Sequence, residues 1–470
     1  MLTASATRIA EICGGSVILG SGDAMAYGVT IDSRRVTPGC AFIALPGERV
    51  DAHAFVAPAI AEGARVAIVA RWDEGLATGV QGMRSGDWAV VMVSDTVEAL
   101  RALAGYQRSR LHCPVIGITG STGKTTTKDF LAAVLATRFK VVATKGNRNN
   151  EIGVPLTVLD AGADTDVLLV EMGMRGSGQI AHLCSFAKPT LGIVTNVGQT
   201  HLEVLGSQEA ILHAKGELVR CIPHHGAVFL NGDDAWSRKL EEETPAPVTW
   251  YGMGEDSDVR ASEVETDEAG RPTVTLSAGD EKVRFTLPVP GRHNAYTAAA
   301  TAAVALYLGL TLEDVAAGLA AVELSDMRMQ VFTAASGVTV VNDAYNANPT
   351  SMRAALTALS DMRTGVRRIA VLGDMAELGS LEELAHFKLG EEVARASVDV
   401  LVTVGQRSAR IADGARAAGM ATDRVRECAT ADEASEVLDD LLEPGDVVMV
   451  KASRSMGLER IVEGILRPHV

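Results

Sequence analysis

Aromatic residues are scarce: Phe, Trp and Tyr together make up 4% of the 470 residues. Ala, Val, Leu and Ile must therefore fill the cores. Cysteine is sparse too. The six are Cys13, Cys40, Cys113, Cys184, Cys221 and Cys428, and no two have the C-x-x-C spacing. Free thiols in a reducing compartment are the expectation. No apolar run reaches the about 18 residues needed to span a bilayer. Met1 to Ile12 shows no basic segment followed by an apolar one. Membrane insertion is therefore not expected, and a cytoplasmic location is. Positive charge is also in deficit, with 43 Lys and Arg against 59 Asp and Glu and a net charge of −16. Nucleic-acid backbones are held by a basic field, so they are not expected partners. There is no internal repeat, low-complexity tract or long linker. No G-x-G-x-x-G follows a strand in the last third, which argues against a dinucleotide oxidoreductase.

What is present fits an ordinary folded chain, 47% hydrophobic and 22% charged. The length predicts two to four domains, and three blocks are legible: 1–110, 111–325 and 326–470. In the first, strand candidates Val29–Ile31, Ala41–Ala44 and Val66–Val69 surround a helical stretch, Ala54–Glu62. In the second, the runs Val115–Ile118, Val167–Val170 and Leu191–Val194 do not alternate with polar residues, as suits strands buried on both faces of a parallel sheet. Ala227–Leu230 is a further strand candidate. The alternating stretches Val259–Val264, Val274–Leu276 and Val283–Leu287 then predict a small antiparallel flap, followed by a helix over Asn294–Leu308. The third block alternates strand candidates (Val338–Val341, Ile369–Leu372, Val400–Val404, Val447–Val450) with helical stretches. The whole reads as α/β.

The strongest chemical signal runs from Val115 to Thr127: a buried strand, the loop Gly120-Ser121-Thr122-Gly123, then Lys124, Thr125 and Thr126 opening a helix. Glycines let backbone N–H groups approach phosphate oxygens, and the helix N-terminus adds positive partial charge. Lys124 is placed to reach terminal phosphates and Thr125 to ligate Mg²⁺. The general phosphate-loop pattern would put its first glycine at Ile118; here Gly117 and Gly120 flank that position. An acidic chain can thus still bind a nucleotide through a local device.

Ligands of parallel sheets lie beyond the carboxyl ends of strands. That places Glu171, Asn196 and His201 on the phosphate-loop side, with Glu171 a hard oxygen ligand for Mg²⁺ and His201 a second candidate. Ser207 can cap a helix running to about Arg220. On that helix Ile211, Leu212, Leu218 and Val219 lie three or four residues from Lys215, which puts the lysine on the apolar face. Desolvation favours the neutral amine. Such an amine can add CO₂ to give a metal-binding carbamate. A lysine snorkelling to solvent fits the spacing equally well.

These residues resemble the Mur ligase family over almost the whole chain. The resemblance rests on the phosphate loop, Lys145-Gly-Asn-Arg-Asn-Asn-Glu-Ile-Gly-Val-Pro, Val170-Glu-Met-Gly, Thr195-Asn-Val-Gly-Gln-Thr-His-Leu-Glu, Ala214-Lys-Gly-Glu-Leu and Gly291-Arg-His-Asn. The third block adds Asn342-Asp-Ala-Tyr-Asn-Ala-Asn-Pro-Thr-Ser-Met and Leu372-Gly-Asp-Met-Ala-Glu-Leu-Gly. The stretch Asn342–Met352 is most similar to members that add D-alanyl-D-alanine. The resemblance implies a UDP-substrate domain (1–110), a central P-loop ATPase on a parallel sheet (111–325) and a C-terminal Rossmann-like domain (326–470). It implies ATP and Mg²⁺, with Thr125 and Glu171 holding one ion and His201 with carbamylated Lys215 a second. Asn294 would lie against adenine, Arg328 near the γ-phosphate and Asp343 near the ribose or nearby ATP atoms. Ser33 and Arg34 would meet the UDP moiety. Asn346, Asn348, Lys451, Ser453 and Arg454 would sit near the incoming dipeptide. Two positions depart from the family: Thr297 stands where Asn is frequent, and Ala452 where Gly is usual.

The implied reaction ligates D-alanyl-D-alanine to UDP-N-acetylmuramoyl-tripeptide through an acyl phosphate, in peptidoglycan precursor synthesis, by a monomer. Two rivals stand beside it. One is a Mur or folylpolyglutamate-type ligase with another amine acceptor. The other is a nucleotide-dependent switch, for which a lysine on an apolar helix face has no evident use.

Overall fold

The computed structural model describes residues 1–47, 50–80, 87–363 and 367–467. The chain forms two compact units. One comprises Met1–Gly117, Arg138–Gly173 and Gln179–Leu191; the other comprises Ile118–Thr137, Met174–Gly178 and Gly192–Val470.

In the first unit five strands lie in the order Ser16–Gly20, Ala89–Met92, Val66–Val69, Ala41–Ile43, Val29–Thr30. All neighbours are parallel except the first pair. The three strands legible in sequence are present to within a residue. Ser16–Gly20 was not legible, because it is an edge strand with mostly exposed side chains and no apolar alternation. The helix expected over Ala54–Glu62 is divided into a 3₁₀ turn, Ala52–Phe55, and an α-helix, Val56–Ala61. Asp51 causes the tight start: its carboxylate accepts from both the backbone N–H (3.0 Å) and the ring of His53 (2.6 Å). Helix Thr96–Ser109 buries Thr96, Ala99, Leu100, Leu103, Ala104 and Gln107, a stripe at helical spacing. It packs on helices Gly153–Asp160 and Gln179–Ala187. The same unit carries the parallel pair Val141–Ala143 and Val167–Glu171.

In the second unit Ala227–Asn231, Val248–Gly252 and Val259–Thr266 are parallel neighbours. Val259–Thr266 then pairs antiparallel with Pro272–Ala278, and that strand with Glu281–Thr286. The expected flap is thus these last three strands. A register shift between Ser262 and Glu265 marks a bulge, where Glu263 has φ of 51°. Helices Lys124–Leu135, Asn294–Tyr307 and Leu312–Ala320 pack on one another. Small residues make that possible: Ala295, Ala298, Ala299, Ala302 and Ala303 are all buried. A Cβ at Gly318 would lie 2.6 Å from Val134 Cα, so only glycine lets the two helices meet there.

The rest of this unit is a six-stranded sheet ordered Gln330–Thr333, Thr339–Asn342, Val447–Lys451, Arg368–Gly373, Val400–Val404, Val425–Cys428. Only its first pair is antiparallel. Val341, Ala370, Leu372, Leu401 and Met449 face one core, while Val340, Ile369, Val371, Val402 and Val448 face the other. Both faces are covered, so these strands read as unbroken apolar runs, and burying each large side chain contributes roughly 1.5–3 kcal/mol. Among the described residues no helix is long and apolar enough to cross a membrane.

Candidate active site

The strand Val115–Thr119 is wholly buried and opens into the loop Gly120–Gly123. Gly120 has φ of 148°, and a Cβ on it would stand 1.8 Å from Thr195 Oγ1. Gly123, in the left-handed region at 79°, starts the helix Lys124–Leu135, whose N-terminus has no side-chain cap. A helix N-terminus of this kind, behind a glycine loop, suits an anion. The loop is tied from behind by the segment after strand Leu191–Val194. Asn196 accepts from Ser121 N through its carbonyl (3.0 Å) and from Thr122 N through Oδ1 (3.1 Å), and its Nδ2 donates to Thr122 Oγ1 (2.7 Å). Ser121 Oγ donates to Gly198 O and accepts from Gly198 N, both at 2.9 Å. Ser121 and Thr122 thus shape the loop with the groups expected to meet nucleotide. Asn196 is the organising residue, and the sequence signals for it were its position at a strand end and the matched segment that begins at Thr195. Lys124 Nζ donates to Gly120 O (2.7 Å), and Thr125 is buried while Thr126 is partly exposed.

Helix Gln208–Cys221 starts at Ser207, whose hydroxyl accepts from Ala210 N (3.1 Å). Lys215 lies on its buried face and is 2% exposed, with Ile211, Leu212, Leu218 and Val219 buried beside it. The snorkelling alternative is thereby removed. Burial, and then the charge of Lys124, push the Lys215 pKa well below the ordinary lysine range. Burial thus shifts the balance toward the neutral amine, the form that is nucleophilic toward CO₂. His201 has left-handed backbone (φ 56°) and places Nδ1 2.5 Å from Glu377 Oε2. Burial lowers its pKa, Glu377 opposes that, and the positive charges of Lys215 and Lys124 add to the lowering. Lys124, His201 and Lys215 therefore lie within one another's fields.

Glu171 belongs to the first unit and is 1% exposed. Oε1 accepts from Asn149 Nδ2 (2.8 Å), while Oε2 is buried without a hydrogen-bond partner. A buried carboxylate oxygen left unmatched is costly, and a hard cation is the partner it suits. Asn294, at the start of helix Asn294–Tyr307, is matched in the same half-finished way. Nδ2 donates to Pro290 O (2.8 Å), but Oδ1 is buried and unpartnered, ready to accept from an amino group. Among the described residues no group of three or more His, Cys, Asp or Glu side chains could hold a metal ion. A carbamate on Lys215 would add an anionic oxygen donor beside His201.

A second constellation forms at the strand ends of the six-stranded sheet. Asp343 accepts from Met329 N (3.3 Å) and from Lys451 Nζ (2.6 Å), and Lys451 also donates to Asn346 O (2.9 Å). Arg328 lies over the Tyr345 ring, 4.1 Å from its centroid. The partly buried His293 is held toward its neutral form by desolvation, against the pull of Asp343. Ser453 Oγ accepts from Ala376 N (2.9 Å), and Arg454 pairs with Glu459 at 2.7 Å while half exposed. Asn348 is the N-cap of helix Pro349–Asp361, its Oδ1 accepting from Ser351 N at 2.9 Å. In the first unit Ser33 opens a 3₁₀ turn, and the exposed Arg34 forks onto Asp32 with two contacts of 2.9 Å.

Comparison with known proteins extends these local features over the full chain. Three family models match: the Mur ligase family catalytic domain over residues 26–108, the Mur ligase middle domain over 118–305 and the Mur ligase glutamate ligase domain over 327–454. The UDP-N-acetylmuramoyl-tripeptide--D-alanyl-D-alanine ligase of Mycobacterium tuberculosis is 41% identical, across 99% of this chain and 98% of its own. The crystal structure of MurF from Acinetobacter baumannii superposes with a TM-score of 0.85 at 30% identity, covering 99% of each chain. MurF ligase from Thermotoga maritima, solved with ADP, superposes at 0.78 with 28% identity, covering 94% of this chain and 97% of that one. With an anion-ready helix behind a glycine loop, a desolvated lysine beside a histidine, and matches from end to end, the chain belongs to the Mur ligase family.

Proposed function

We propose that this chain joins D-alanyl-D-alanine to UDP-N-acetylmuramoyl-tripeptide, converting ATP to ADP and phosphate, in the synthesis of peptidoglycan precursors. The observation that carries this reading is the end-to-end identity with ligases of that name, up to 41% over 99% of the chain. The proposed division of labour follows the matched segments: 1–110 for the UDP-substrate through Ser33 and Arg34, 111–325 for ATP, and 326–470 for the dipeptide. The protein acts as a monomer in the cytoplasm in this reading.

The tripeptide's terminal carboxylate attacks the γ-phosphorus of ATP. The bond to the bridging oxygen breaks, ADP departs and an acyl phosphate remains. Phosphoryl transfer demands positioning and charge neutralisation more than covalent chemistry. The backbone N–H groups at Gly123–Thr125 and the Lys124 ammonium meet the β- and γ-phosphates, Arg328 approaches the γ-phosphate, and Asn294 accepts from adenine. Thr125, Glu171, His201 and carbamylated Lys215 are the residues that would hold Mg²⁺. The buried, unmatched Glu171 oxygen supports that assignment. The metal would supply further neutralisation of phosphate charge. The neutral amine of D-alanyl-D-alanine then attacks the acyl carbon. The tetrahedral intermediate loses a proton from its nitrogen to a base and collapses to the amide, and phosphate leaves with the C–O bonding electrons. Asn346, Asn348, Lys451, Ser453 and Arg454 are the proposed dipeptide contacts. Asp343, already bonded to Lys451, reaches ribose by exchanging that partner or by using a remaining lone pair.

The test is phosphate release from ATP in the presence of UDP-N-acetylmuramoyl-tripeptide, with and without D-alanyl-D-alanine. Release that depends on the dipeptide is expected. Release with meso-diaminopimelate and not with the dipeptide would reassign the acceptor. Turnover needing no amine would make the chain a nucleotide switch.

A further inference from the structure

We infer that Glu377 is the positioning residue for His201, holding its ring so that Nε2 is the nitrogen offered to the reaction centre. The two residues are 176 positions apart in sequence, yet Glu377 Oε2 lies 2.5 Å from His201 Nδ1. A carboxylate can only accept, so Nδ1 carries the proton and Nε2 keeps its lone pair. This is the arrangement by which an outer carboxylate orients a ligating histidine and raises its basicity.

The backbone on both sides is arranged around this contact. His201 has φ of 56° and Glu377 of 61°, two of only six non-glycine residues in the left-handed region among those described. Such residues persist only where their surroundings over-determine them, and they cluster at functional sites. The surroundings of Glu377 do so. Its loop follows strand Arg368–Gly373 and is held at three points. His386 Nε2 accepts from Met375 N (3.0 Å), Ser453 Oγ accepts from Ala376 N (2.9 Å), and Asp374 accepts from Ser408 N (2.8 Å) and from Ser453 N through its carbonyl (3.0 Å). His386 is itself fixed by Glu382 O at 2.7 Å. Beyond the loop, Glu377 Oε1 stands 3.6 Å from Arg175 Nε, a second contact that helps aim the carboxylate. Gly379 presses on Glu203, two residues past His201: a Cβ there would lie 3.0 Å from Glu203 Cα. A rigid loop thus delivers one carboxylate to one imidazole.

The inference rests on the proposed role of His201 but not on the identity of the amine acceptor. Its test compares the full-length wild type with Glu377→Gln, Glu377→Asp, His201→Asn and the double variant H201N/E377Q. Two readouts are used: Mn²⁺ affinity of the resting protein in bicarbonate buffer, by the loss of the free-ion paramagnetic signal, and steady-state kinetics. Glu377→Gln is nearly isosteric and is expected to lower kcat and weaken Mn²⁺ binding, each about 10–100-fold. KM for the dipeptide should stay within about twofold, because that contact is not to substrate. Glu377→Asp should recover part of both losses. In the His201→Asn background Glu377→Gln should add nothing, since both act through one ring. Wild-type values in Glu377→Gln, or losses that add in the double variant, overturn the inference. The Mn²⁺ arm decides it even if the wild type proves inactive with D-alanyl-D-alanine, an outcome that would overturn the functional reading alone.

Discussion

Lys215 shows how one residue's surroundings set its chemistry. An ammonium that is 2% exposed on an apolar helix face, with the charge of Lys124 acting on it, is unfavourable, and its proton is held less tightly than an ordinary lysine's. The amine can then add CO₂, with the N–C bond forming as a proton leaves, and the resulting anion answers the positive charge of Lys124. Intact mass under mild conditions should show a labile increment of one CO₂ that Lys215→Ala lacks; equal masses corrected for the substitution would refute the carbamate. A pH prediction follows for the unmodified chain in CO₂-free buffer. Because the folded-state pKa is lowered, the unfolded chain binds more protons between that value and the ordinary lysine pKa of about 10.4. Wild-type stability therefore rises with pH through this window, and the penalty is complete below it. Lys215→Met has no such proton to lose, so its gain in urea midpoint over wild type should be larger at about pH 7 than at about pH 10. A constant gap would mean the lysine is not desolvated in solution. The burial of Lys215 was legible from Ile211, Leu212, Leu218 and Val219 at helical spacing. The partner of His201 was not. Glu377 lies in a motif visible in the sequence, but only the fold brings it back across 176 residues.

At the scale of elements, the phosphate-loop helix and the helix Pro349–Asp361 illustrate two uses of a helix N-terminus. The first is left uncapped and waits for an anion; the second is closed by its own capping box. Gly120 is required for the first. Alanine there would meet Thr195 Oγ1 at 1.8 Å and would hold φ near 148°, a region that costs a side chain of order 1–3 kcal/mol. Gly120→Ala should weaken ATP binding about tenfold or more by titration calorimetry. Adding Thr195→Ala, which removes the clash and not the backbone strain, should restore only part; full restoration would show that φ is unimportant. At the second helix, Asn348→Ala should cost about 1 kcal/mol of stability in urea unfolding, and Asn348→Ser should regain most of it, since serine caps as well. If Asn348→Ser also leaves KM for the dipeptide unchanged, capping is its whole task. The strand–loop–helix, the flap and the Ser207 cap were legible because each is local: a buried run into glycines, alternation between turns, a hydroxyl before an apolar stripe. The strands Val141–Ala143, Val248–Gly252 and Val425–Cys428 were not, because runs of three to five residues carry little periodicity and owe their conformation to the strands beside them.

At the scale of the molecule, an acyl phosphate must be shielded from water between its formation and its capture. The second unit contains a joint suited to that. Ser325 is pinned to the phosphate-loop helix, with its N and Oγ donating to Asp129 at 2.8 and 2.9 Å and Lys128 Nζ reaching its hydroxyl at 3.3 Å. Immediately beyond it Met327 and Met329 have φ of 58° and 49°, the kind of few-residue segment that absorbs a rotation. Arg328 sits between them. On the far side Asp361 meets Arg292, just ahead of helix Asn294–Tyr307, at 2.9 Å, and Arg363 N donates to Glu268 O of the flap at 2.7 Å. An exposed ion pair contributes only about 0.2–1 kcal/mol, a factor of about five in population at most, so it cannot hold a closed state alone. ATP and the UDP-substrate must supply the remainder through contacts made only when the parts are together. Solution scattering should therefore show the radius of gyration falling when both are added. Arg292→Ala should raise the ligand-free value slightly and leave the liganded one unchanged, with kcat within about fivefold of wild type. Identical profiles with and without ligands would mean that this joint does not move, and that shielding comes from substrate alone.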